Sequence, residues 1–126
     1  MIELYEERGW MMRSSADILG RTVEVVVDRP LGSCHPHYTT MLYPVNYGYV
    51  PGIPGGDGEA QDAYILGIAV PLRRYVGRVV AVIHRLDDRE DKWVVAPQGM
   101  TFTVEEIREQ TDFQERFFRV EIEAGG

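Results

Sequence analysis

The stretch Tyr43-Pro44-Val45-Asn46-Tyr47-Gly48-Tyr49-Val50 is followed, after a loop rich in proline and glycine, by Asp57-Gly58-Glu59-Ala60-Gln61-Asp62. The aromatic content of Tyr43 to Val50 predicts a strand that stops at Pro51-Gly52. Ile53 to Glu59 carries Pro54, Gly55, Gly56 and Gly58 and reads as a loop. Ala63 to Val70 is strongly apolar and reads as a strand buried on both faces or nearly so. Upstream, the β-branched run Thr22 to Val27 predicts another strand, stopped by Asp28-Arg29-Pro30. Downstream, Tyr75 to Leu86 and Trp93 to Ala96 flank the charged turn Asp87 to Lys92, the pattern of a β-hairpin with a long tip. The period then changes. Thr103 and Glu106 have capping-box spacing. Ile107, Gln110, Phe113, Phe117 and Val120 recur at helical intervals, which predicts a helix over 103–121. The chain is therefore expected to be mainly β (α+β): a small barrel closed by a C-terminal amphipathic helix. Residues 1–126 form one domain in this reading, with 1–19 as an N-terminal extension.

With 126 residues, 44% hydrophobic and 26% charged, the composition is that of a soluble globular domain. No apolar run approaches the roughly 18 residues of a membrane span. The acidic start, Met1 to Glu7, lacks the order of a signal peptide. Cys34 is the single cysteine, so no intrachain disulfide forms and a reduced cytoplasmic setting is expected. The net charge of −7, without a basic stripe, argues against nucleic acid as a partner.

Two acidic clusters carry chemical interest. Asp57, Glu59 and Asp62 crowd one glycine-bearing loop, and carboxylates forced together repel unless a cation or proton neutralises them. Taken alone, such a loop reads first as a solvated turn with Asx hydrogen bonds. Asp87, Asp88, Glu90 and Asp91 crowd the hairpin tip. Glu90 and Lys92, two apart, point to one face of a strand. A tip of this kind is by itself a common exposed feature. Together the loops could form opposite walls of a site for a hard cation, magnesium or else manganese, that bridges to phosphate.

The paired motifs resemble the family I soluble inorganic pyrophosphatases, whose signature is a YPxNYGY strand, a short loop, D-G-D-P-x-D and an apolar strand. Lys92-Trp93-Val94-Val95-Ala96-Pro97 resembles the family's K-x-V-A-x-P, and the likeness covers roughly residues 22–121. The resemblance implies an OB-like closed barrel that hydrolyses pyrophosphate with a water activated by magnesium. It makes Asp57, Glu59, Asp62, Asp87 and Glu90 the metal ligands, with Asp91 as the alternative to Glu90. Glu59 falls on the general-base position, Lys92 on the phosphate-contacting lysine and Tyr47 on the tyrosine of the strand. Asp28 matches an acidic residue that ends an early strand. Homo-oligomeric assembly is also implied.

The departures define an alternative. The family's hairpin with its lysine, glutamate and arginine has no counterpart, because Arg29-Pro30 leads through Leu31 to His37 almost directly into the tyrosine strand. Glu59 replaces an aspartate, and Phe118-Arg119 stands where a Tyr-Lys pair is usual. Arg29, His35, His37, Lys92 and Arg119 are the candidates for holding phosphate, with Arg73 and Arg74 unassigned. The expected function is an inorganic diphosphatase. The alternatives are a phosphohydrolase for another phosphate compound, or a non-catalytic barrel that binds phosphate or metal.

Overall fold

β-Branched and aromatic runs form six strands in the computed structural model, which describes residues 15–88 and 90–125. They are β1 (Thr22–Arg29), β2 (Asn46–Pro54), β3 (Ala60–Ile65), β4 (Arg74–Arg85), β5 (Asp91–Ala96) and β6 (Val120–Ala124). A helical turn, α1 (Ser15–Ile18), precedes them, and α2 (Val104–Glu115) lies between β5 and β6. Of the expected N-terminal extension, residues 1–14 lie outside the described residues. Among the described residues no helix is long and apolar enough to cross a membrane.

The strands pair in the order β1-β2-β3-β5-β4, and β4 returns to β1, which closes a five-stranded barrel. All of these pairs are antiparallel except β3 with β5. The long strand β4 serves both layers. Arg74 to Arg78 pair with β1, and Ala81 to Arg85 pair with β6. Its other edge carries β5, with a register irregularity between Val79 and Ala81.

Strand alternation sorts the side chains into two cores. Val25, Val50, Ala63, Ile65, Val79, Val82, Trp93 and Val95 fill the barrel, with Ile18 packed among them. Tyr64, Leu66, Val80, Ala81, Ile83, Val94 and Ala96 face outward and are covered by Ile107 of α2. The site residues belong to this second face, because Asp62 shares the parity of Tyr64, and Lys92 that of Val94.

Two residues of the tyrosine motif have structural duties. A side chain at Gly48 would place its Cβ 1.9 Å from the Val26 carbonyl oxygen, so only glycine allows β1 and β2 to cross there. Asn46 is fully buried, and both polar atoms of its side-chain amide are bonded. Its Oδ1 accepts from the Leu31 and Leu72 amides at 2.9 and 3.0 Å, and its Nδ2 donates to the Val70 carbonyl at 2.9 Å. It thereby ties two loops to the barrel.

The C-terminal helix is shorter than expected. It starts on the Thr103–Glu106 capping box and ends at Glu115, and Val120 to Ala124 forms β6 against β4. Phe117 and Val120 continue the helical spacing by coincidence. The alternation Val120-Glu121-Ile122-Glu123-Ala124 has a period of two, and β4 offers an open edge that rewards it. β2 likewise runs past Pro51 to Pro54, with a shift in register after Val50.

Candidate functional site

Lys92 is the centre of the charged group. Only 4% of its side chain is exposed, and its Nζ donates to Asp62 Oδ2 at 2.6 Å and to Glu90 Oε1 at 2.7 Å. Two of its three donors are thus occupied. Asp62 arrives from β3, and Glu90 and Lys92 from the β4–β5 hairpin. Asp57 joins at the edge: its carboxyl is held below the ordinary range, first by the Glu59 amide and then by hydrogen bonding with Glu90 and the field of Lys92. Asp28 is pushed the other way, chiefly by burial and in part by the Asp62 charge. Tyr47 closes the group. Burial and the Asp62 carboxylate push its phenol well above its ordinary value, so it remains a neutral donor.

Arg85 stands beside Lys92 and is held by a buried network. Its Nε and Nη2 donate to the two carboxylate oxygens of Glu115 at 2.9 and 2.8 Å, a bidentate pair. Glu115 Oε2 also accepts from the Tyr64 hydroxyl at 2.6 Å. Gln114 Nε2 donates to that same hydroxyl, and Gln114 Oε1 accepts from Tyr43 at 3.2 Å. The Phe118 ring lies 3.6 Å from the guanidinium carbon. Only Nη1 faces the acidic tip, at 3.3 Å from Asp88 and 3.5 Å from Glu90.

These groups floor a cleft of about 400 Å³, where Tyr47, Arg85, Lys92 and Gln114 supply the polar side. His35, Tyr38, Met41, Phe117 and Phe118 line the rest of the cleft. The first three come from the segment after Pro30, which folds back on itself. Gly32 N donates to Tyr43 O, Tyr43 N to Ser33 O and His35 N to Met41 O, at 2.7 to 2.9 Å. His35 Nδ1 accepts from the amides of His37 and Tyr38 at 3.0 and 3.2 Å. That fixes the Nε2–H tautomer, and burial, His37 and Arg29 all lower the ring's pKa and keep it neutral.

The expected residues divide. Asp57, Asp62, Glu90, Lys92 and Tyr47 come together, and His35 reaches the rim. Asp91, the alternative to Glu90, turns to the other face and meets His84 at 3.0 Å. Asp87 accepts the backbone N–H of Arg119 at 3.2 Å instead of joining the group, and Arg119 and His37 lie outside the cleft lining. Arg29 approaches Tyr43 and Asp28. Glu59 is exposed and lines a separate shallow depression with Gly52, Ile53 and Pro54. Its amide bonds Asp57 Oδ1 at 3.0 Å, an Asx turn that Gly58 permits at φ 88°. Arg85 and Glu115 went unnoticed in the sequence. Their signal is weak: an arginine in an apolar strand and a glutamate on the buried face of a helix.

Among the described residues no three His, Cys, Asp or Glu groups converge as a ready metal cage. The donor set nonetheless fits a hard cation that keeps most of its waters and needs only one or two carboxylates. Asp62 and Glu90 share the charge of Lys92, and Glu90 also meets Nη1 of Arg85 at 3.5 Å.

Fold and side chains define a class: a closed OB-like barrel with a charged cleft between its outer face and a covering helix. Within that class the chain resembles the inorganic pyrophosphatases in sequence and in fold. An inorganic pyrophosphatase of Saccharolobus solfataricus is 35% identical over 81 residues, 61% of this chain and 44% of that protein. The chain thus spans less than half the length of this curated relative. The inorganic pyrophosphatase structure from Ehrlichia chaffeensis superposes with a TM-score of 0.67 at 20% identity, covering 84% of this chain and 87% of that one. That from Neisseria gonorrhoeae gives 0.60 at 25% identity, covering 86% and 77%. No protein-family model matches the chain.

Proposed function

We propose that the chain is a metal-dependent hydrolase of phosphoanhydrides, with pyrophosphate as its simplest substrate. The observation that carries this reading is the meeting of Asp62 and Glu90 on buried Lys92, beside a cleft that also presents Arg85. The likeness to inorganic pyrophosphatases supports the same chemistry. Phosphoryl transfer needs positioning and neutralisation of charge more than covalent help. Lys92 and Arg85 supply the cationic side chains, and Tyr47 adds a neutral phenol donor. Asp62 and Glu90, which meet at Lys92, would hold a divalent cation through its waters, magnesium by the hardness of the donors. Such a cation, when bound, supplies a more acidic water and neutralises phosphate charge. The Arg85–Glu115 pair keeps the guanidinium in one orientation. Glu59, displaced from the group, is not needed to hold the cation.

Release of phosphate from pyrophosphate, measured with and without magnesium, tests the reading. Magnesium-dependent release that disappears in Asp62→Asn is expected. Release unaffected by chelation, or undiminished in that variant, overturns it.

A further inference from the structure

Tyr38 and Phe117 are the most exposed large hydrophobic side chains among the described residues, at 68% and 67%. Single exposed rings are ordinary on protein surfaces. These two, however, line the same cleft, together with Met41. A bare diphosphate offers no apolar surface, so such a rim contributes nothing to holding one. An apolar rim with a few fixed polar groups, around roughly 300–1,000 Å³, is instead the pattern of a site for an organic ligand. This cleft, at about 400 Å³, falls within that range.

The rim also suits one kind of ring. Nucleobases stack on aromatic side chains in a sequence-tolerant way, because every base has a π-face. His35 lies parallel to Tyr43, with 2° between planes and 6.2 Å between centroids, and its Nε2–H is a donor suited to the acceptor nitrogens and oxygens of a base. Arg116 lies 5.6 Å from the Phe117 ring and adds a cation on that side. The segment 30–42 that builds half of the rim contains neither lysine nor arginine. The cleft is therefore lined by both cations and exposed rings, the two kinds of group that a phosphoanhydride with an aromatic substituent needs.

We infer that this cleft accepts a nucleoside diphosphate, its base between Tyr38 and Phe117 and its phosphates over Lys92 and Arg85. The inference rests on the phosphate-site reading above and names the substrate class for it. In the reaction, water oxygen bonds to the terminal phosphorus and the bond from that phosphorus to the bridging oxygen breaks. The nucleoside monophosphate leaves with the bridging oxygen, and the products are nucleoside monophosphate, phosphate and one proton.

The test uses the full chain, magnesium and two non-hydrolysable ligands: methylene-bridged adenosine diphosphate and methylenediphosphonate. Calorimetric titration is expected to show tighter binding of the nucleotide analogue. Tyr38→Ser and Phe117→Ser should each weaken that analogue on the order of tenfold, the scale of one lost stacking partner, and leave methylenediphosphonate within about twofold. Equal affinity for both ligands in the unaltered protein overturns the inference while leaving the phosphate site standing. Equal loss of both ligands in the variants overturns it too. Binding of neither ligand removes the phosphate-site reading as well. A fall in particle mass by light scattering in the variants, with nucleotide affinity unchanged, would show that the rings meet a second copy of the chain and also overturn the proposal.

Discussion

On one face of the β4–β5 hairpin a lysine sits between Asp62 and Glu90; on the other a histidine sits between Asp91 and Glu123. Each group places one nitrogen base between two carboxylates, and sequence neighbours Glu90 and Asp91 supply one carboxylate to each. Their surroundings differ. The Lys92 side chain is 4% exposed and that of His84 is 28% exposed. Against the cost of burial, Glu123 and Asp91 raise the His84 pKa. Arg85 and the cleft accompany Lys92. Acidic residues are thus too common to mark a site, and a buried lysine beside a cleft is the better sign.

The largest effect should come from the network that supports the Lys92 side. Glu115→Ala strands the Arg85 guanidinium and is expected to cost about 3–5 kcal/mol, read from the denaturant midpoint. A loss below about 1 kcal/mol would mean that Asp88 and Glu90 recapture the arginine. Next, Asp62→Asn should lower turnover by about 10²–10³-fold, with the melting curve of the fold preserved. Glu59→Gln should cost clearly less than Asp62→Asn, because Glu59 faces another depression. Equal losses in the two would show that the acidic loop moves when substrate binds. On the opposite face, Asp91→Asn should change turnover by no more than about twofold, which separates the two clusters functionally.

The smallest effect depends on pH. Burial alone would lower the His84 pKa, but Glu123 and Asp91 outweigh it and the net direction is up. A raised histidine favours the folded state fully below its unfolded value, about 6.5, and that benefit is lost as pH rises through the folded value. His84→Asn should therefore destabilise most below about pH 6.5, by no more than about 1 kcal/mol, with a smaller difference in alkaline solution. Urea melts of both proteins across pH measure this. A difference that grows with pH would contradict the pairing.

The barrel was legible in the sequence because its strands carry strong local signals. Thr22 to Val27 and Tyr75 to Leu86 are β-branched or aromatic, and glycine and proline separate them. Part of the site was legible for the same reason: a two-residue spacing puts Glu90 and Lys92 on one face. Other partners depend on packing. Arg85 and Glu115 meet across 30 positions only because α2 lies over β4. Asp87 accepts the Arg119 amide, a contact that a hairpin tip does not announce in sequence. The expected helix runs on into the start of β6 because Val120 falls in helical step with Phe113 and Phe117, and strand pairing with β4 decides otherwise.

β4 hydrogen-bonds along both edges, to β5 on one side and to β1 and then β6 on the other. Neither layer can therefore open without breaking bonds to a strand the other layer shares. Amide protons from Val79 to Ile83 should exchange only through global unfolding, while those of the 30–42 loop exchange through local opening. By the same coupling, a weakened Arg85–Glu115 pair should accelerate exchange at Val25 and Val95 inside the barrel, although neither residue touches it.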